Sequence, residues 1–77
     1  MNIEKFTTKF QQALSEAQSL ALGKDNQFIE PVHLLTALLN QQDGSIAPIL
    51  TTSGVNVALL RNELNAELNK LPQVSGN

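Results

Sequence analysis

Apolar residues fall into four periodic blocks, separated by short polar stretches rich in Gly, Asn and Asp. In the first block Phe6, Phe10, Ala13, Leu14, Ala17, Leu20 and Ala21 recur at spacings of three and four, which is one stripe of an amphipathic helix. Thr7 is placed to cap that helix, because its hydroxyl can accept from an unpaired amide one turn on. Gly23 follows the last periodic residue, where a left-handed residue commonly closes a helix. The pattern predicts helix one over residues 8–22, with the polar stretch from Lys24 as a loop.

The second block, "PVHLLTALLNQ", opens on Pro31, whose missing N–H costs nothing at a first helical position. Glu30 just before it sets negative charge at the positive end of the helix dipole. Val32, Leu34, Leu35, Ala37, Leu38 and Leu39 cover most of the circumference, so this is the central, buried helix, ending near Gln41–Gln42. Gly44 then stops the chain and Ser45 caps a short third helix carrying Ile46, Ile49 and Leu50, with Pro48 in its first turn and Gly54 at its end. Asn56 caps the fourth, whose stripe is Val57, Leu60, Leu64, Leu68 and Leu71 and whose outer face carries Arg61, Asn62, Glu63, Asn65, Glu67 and Asn69. Pro72 ends it. No segment alternates as a strand would, so the class is all-α, with a helical unit over residues 1–71 and a tail or linker over 72–77.

Composition narrows the function. At 77 residues the chain makes one small domain, which buries only about 60–65% of its unfolded surface and is marginal by itself. With no cysteine there is neither a disulfide nor a thiol ligand or nucleophile. Five Lys or Arg against seven Asp or Glu give a net charge of −2, scattered without runs. No basic stripe speaks for nucleic acid, and the third helix has no Arg, Lys, Asn or Gln between Ser45 and Ser53 to read a groove. No apolar run approaches the roughly 18 residues of a membrane span, and the start of the chain lacks a signal-peptide core. The expected setting is cytoplasmic, with no nucleic-acid or membrane partner.

Candidate chemistry is sparse. His33 is the only histidine, without the companions a metal or a catalytic base needs, and is read as packed near a helix start and hydrogen-bonded to backbone. Gly23-Lys24 lacks the earlier glycine and following Ser or Thr of a phosphate loop, and Glu63 with Glu67 is an ordinary solvated pair. The residues themselves lead to a small helical interaction module with no catalytic, metal or cofactor site.

The stretches "KFQQALSEAQSLALGKDNQFIEPVHLLTALLNQQDG" and "ILTTSGVNVALLRNELNAELNKLPQV" go further. An Ala- and Gln-rich first helix, a polar loop, an H-L-L-x-A-L-L helix, a short helix ending in Gly and a long last helix together resemble the Clp N-terminal domain family. "ALGKDNQFIEP" with "LNKLPQV" resembles its disaggregase branch more than its protease-partner branches. The resemblance implies a small four-helix orthogonal bundle, one repeat of a domain that otherwise has two in tandem. It implies a non-catalytic, substrate-engaging N-terminal domain of an AAA+ disaggregase, binding unfolded or aggregated polypeptide. The parent would be a hexameric ATPase acting with the Hsp70 system, with ATP and Mg in domains beyond this stretch. Docking of adaptor proteins, as in a Clp protease ATPase, and self-association as a homodimer replacing the second repeat are the alternatives. The resemblance points to Thr7, in the motif F-T-x-K-F, for substrate handling, beside its capping role; Phe6 and Phe10 are the adjoining apolar candidates.

Overall fold

A computed structural model describes residues 3–42 and 44–74, apart from the side chains of Lys5 and Phe6. Four helices follow in order: α1 Ile3–Gly23, α2 Pro31–Asn40, α3 Ile46–Thr52 and α4 Val57–Lys70. No strand is found among the described residues, only an isolated bridge between Asn26 and Gln73. The all-α reading holds, with α2 in the middle: α2 packs on α1, α4 and α3, whereas α1 makes no comparable contact with α3 or α4.

The helix ends show how the sequence sets them. α2 starts at Pro31 as expected. α4 starts behind Asn56, whose Oδ1 accepts the Leu59 amide at 3.1 Å, and ends at Lys70 before Pro72. α3 closes in a Schellman turn, with the Val55 amide on Leu50 O at 2.9 Å and the Gly54 amide on Thr51 O at 3.0 Å. Gly54 takes φ +91°, a conformation glycine adopts freely.

Three expectations need correction. α1 begins by Ile3, so Thr7 is not its cap but an interior residue, its hydroxyl donating to Ile3 O at 2.9 Å. Nothing in residues 3–7 breaks a helix, and Glu4 in the first turn favours an early start. Gly23 is the last helical residue, and the left-handed position falls on Asp25, φ 58°. A Schellman turn sits there too, with the Asn26 amide on Ala21 O at 2.9 Å and the Asp25 amide on Leu22 O at 3.1 Å; an Asp tolerates the left-handed region better than most residues. Ser45 stands before α3 but caps it with no side-chain hydrogen bond. Arg61 lies on the outer face of α4 as read, and from there its Nη2 donates to Leu39 O at 2.8 Å and covers the carbonyl end of α2.

Packing explains the remaining differences. Gln41 Nε2, past the end of α2, donates to Lys9 O at 2.7 Å, while His33 near its start reaches the loop after α1, so α1 and α2 run in opposed directions. Their contact is built on alanines. Ala13 and Ala17 of α1 meet Ala37 of α2, all buried, with Leu34 and Leu38 packed alongside. Small side chains let the two backbones close up, and this places the larger members of the α1 stripe at the edge. Phe10 and Leu14, both in the expected stripe, are 40% and 38% exposed. The helices form a thin body, with Cα extents of 47 × 28 × 16 Å. For this reason Val32, Leu34, Leu35 and Leu38 of the central helix are only half-buried, and α3 has no buried residue.

Candidate functional site

Two places gather the residues singled out in the sequence. The first is a polar junction around His33, which is wholly buried. His33 is the third residue of α2, and its Nδ1 accepts the Glu30 amide at 2.8 Å, the role a Glu or Gln side chain takes in a capping box. Because Nδ1 accepts, the ring proton sits on Nε2, which donates to Asn26 Oδ1 at 2.8 Å. Asn26 in turn donates through Nδ2 to Pro72 O at 3.2 Å, and the Val74 amide donates to Asp25 O at 2.6 Å. The chain leaving α4 is thereby held against the loop between α1 and α2. Both ring nitrogens are occupied by structural bonds, so the backbone-bonded reading of His33 stands. No group of three or more His, Cys, Asp or Glu placed to hold a metal occurs among the described residues.

The second place is the outer edge of α1. Ile3, Thr7, Phe10 and Leu14 follow one another at spacings of four, three and four, which sets them in a line along the helix. Ile3 is 73% exposed, and Phe10 and Leu14 flank the exposed Thr7 on its C-terminal side. The Thr7 hydroxyl spends its proton on Ile3 O, but its oxygen still offers lone pairs outward, where an extended chain could donate an amide. Thr7 and Phe10 are thus brought together on one exposed line, and the Phe6 side chain lies outside the described residues. Ile3 and Leu14 complete the line and were missed as surface residues. The available signal was the split of the α1 stripe into an all-alanine row, 13, 17 and 21, and a row of large residues, 3, 10 and 14. The tightest helix contact takes the small row and leaves the large one outside.

Further large apolar side chains are exposed on the loop and tail that meet near His33, namely Phe28, Ile29 and Val74, and on the α3–α4 side at Ile49, Val55 and Leu59. No described helix is long and apolar enough to cross a membrane.

Comparison with known proteins places this geometry. Residues 5–77 match the family described as the Clp repeat (R) N-terminal domain. The chain is 55% identical to the chaperone protein ClpB of Vibrio vulnificus over 76 residues, which is 99% of this chain and 9% of that protein. ClpB of Vibrio cholerae matches equally, at 55% over 76 residues. ClpB of Pseudomonas putida is 53% identical over 74 residues, covering 96% of this chain and 9% of that protein. The chain therefore spans about 9% of the length of these relatives.

Proposed function

The chain belongs to the Clp repeat N-terminal domain family, and from that membership we propose that it is the substrate-engaging part of a ClpB-type disaggregase, binding unfolded or aggregated polypeptide without catalysis of its own. The observation that carries the reading is the exposed row Ile3, Phe10 and Leu14 beside Thr7 on the free edge of α1. Misfolded chains share exposed apolar side chains and unpaired backbone amides. An apolar line with one hydroxyl acceptor in it meets both features with little sequence preference. The Thr7 and Phe10 assignment belongs to this proposal. ATP hydrolysis, the hexamer and the link to Hsp70 belong to the parent protein in the same proposal. The relatives being ClpB proteins favours this reading over adaptor docking.

Engagement of this kind is weak, about micromolar or weaker, because the client must pass on to a motor. The test is a fluorescence-anisotropy titration with a permanently unfolded, labelled polypeptide. Phe10→Ala together with Leu14→Ala keeps good helix formers in α1 and removes the apolar row. Losing about 1.4 kcal/mol of apolar contact is expected to weaken binding about tenfold. Unchanged affinity in the folded double variant sinks the assignment to α1.

A further inference from the structure

Residues 72–74 leave α4 with little apolar anchorage. Leu71 is half-buried, but Pro72, Gln73 and Val74 are exposed, Val74 by 55%. The bonds that hold them are polar and lie at one place. Asn26 Nδ2 donates to Pro72 O at 3.2 Å and the Val74 amide donates to Asp25 O at 2.6 Å, on either side of the antiparallel bridge between Asn26 and Gln73. In the last turn of α4, Lys24 Nζ donates to Asn69 Oδ1 at 3.3 Å and ties the same loop to the helix before the segment begins.

The receiving side is fixed from within. Asn26 Oδ1 accepts from Nε2 of the wholly buried His33, and the Asn26 backbone amide closes α1 on Ala21 O at 2.9 Å. One end of the Asn26 side chain is therefore pinned to the interior, and the other is presented to the departing chain. Closing the segment orders only its own three residues, and the ring of Pro72 has already set one of the angles. The bonds gained are exposed, so water competes for them and each contributes little net. Gain and ordering cost are thus of the same order. A segment tied by exposed bonds with few buried apolar contacts opens locally while the helices beneath stay folded.

We propose that residues 72–74 are a strap that closes and opens on the α1–α2 loop independently of the four helices, with Asn26 as its positioning residue. Closed, the strap fixes the direction in which the chain departs from α4. Open, it leaves a free tether that starts at Leu71. The strap therefore sets how a segment joined at this end is oriented against the helices. It rests on these bonds and burials, and does not depend on the edge of α1 binding anything.

The test is native-state amide hydrogen exchange of the whole chain, read by NMR. The Val74 amide is expected to be protected about tenfold over an unstructured peptide, and low urea should leave that value unchanged. The Leu39 amide, inside α2, should be protected far more and lose protection steadily as urea rises. Asn26→Asp keeps an acceptor for His33 Nε2 and sets a carboxylate oxygen against Pro72 O in place of the donor. It is expected to lower Val74 protection about five- to tenfold and to change that of Leu39 by less than about threefold. Val74→Pro, at an exposed site, removes the amide that bonds Asp25 O. It is expected to lower the heteronuclear NOE of Gln73 while that of the Asn26 backbone amide stays as it was. Val74 protection that equals that of Leu39 and falls with urea in parallel would make the segment part of the bundle and overturn the proposal. An unprotected Val74 amide in the parent chain, or a Gln73 NOE unmoved by Val74→Pro, overturns it as well. Unchanged Val74 protection in a folded Asn26→Asp variant removes Asn26 from its role.

Discussion

His33→Ala is expected to remove most of the stability of the fold. The substitution empties a wholly buried ring site and strips a partner from the Glu30 amide and from Asn26 Oδ1. Water can reach part of Asn26, so the loss is below the sum of two orphaned groups and comes to about 3 kcal/mol. A domain of this size seldom holds more than about 3–5 kcal/mol in total. The measurement is the urea midpoint by far-UV circular dichroism. Asn26→Ala is the companion variant. The His33–Asn26 bond is shared, so the double variant should cost clearly less than the two single losses added together. Full additivity would mean that His33 stabilises α2 by filling space and that the junction with the α1–α2 loop contributes nothing.

Leu39→Ala is the second large effect. Leu39 is 1% exposed and, with His33, is among the largest side chains fully buried. Few other large residues stand behind it, because the rest of the core is four alanines, Leu64 and Leu68. A core Leu→Ala change costs about 2–5 kcal/mol, rising with the cavity left. Here Leu39 lines a niche shared with Arg61 and Leu64, so part of the new space opens to it and the expected loss is near the middle of that range, about 3 kcal/mol. Leu59→Ala, at a site 53% exposed, serves as the control and should move stability by less than about 0.5 kcal/mol. Denaturant midpoints that shift equally for the two would contradict the description of the core.

Much of this structure can be read from the residues because punctuation is strong where it matters. Pro31, Asn56 and Pro72 each set a helix boundary within the local chain, and the periodic leucines of α4 bury Leu64 and Leu68 as their spacing requires. The start of α1 was less legible, since Thr7 has the chemistry of a cap and also that of an interior residue bonding back to Ile3 O. The end of α1 was obscured by a glycine that draws the eye away from Asp25, the residue that takes the left-handed turn.

The candidate site was visible in pieces. Thr7 and Phe10 could be named from the resemblance, but their exposure depends on which row of α1 packs, and only the alanine contact with Ala37 decides that. The partners of His33 were hidden for a different reason. Asn26 and Pro72 are distant in sequence, and a lone histidine in an apolar helix says only that some partner exists. The Arg61 bond to Leu39 O likewise joins residues on different helices, beyond any local pattern.

Half-buried leucines on the central helix and a row of large apolar residues on the edge of α1 leave apolar surface open to contact. In the proposed function the edge of α1 is the surface that takes unfolded polypeptide. Its most direct test is an amide chemical-shift titration of this chain with a permanently unfolded polypeptide. Saturable shifts are expected along α1 at Ile3, Thr7, Phe10 and Leu14, with the amides of His33 and Asn26 unmoved. Shifts centred instead on Phe28, Ile29 and Val74 or on Ile49, Val55 and Leu59, or none at saturating polypeptide, would contradict it.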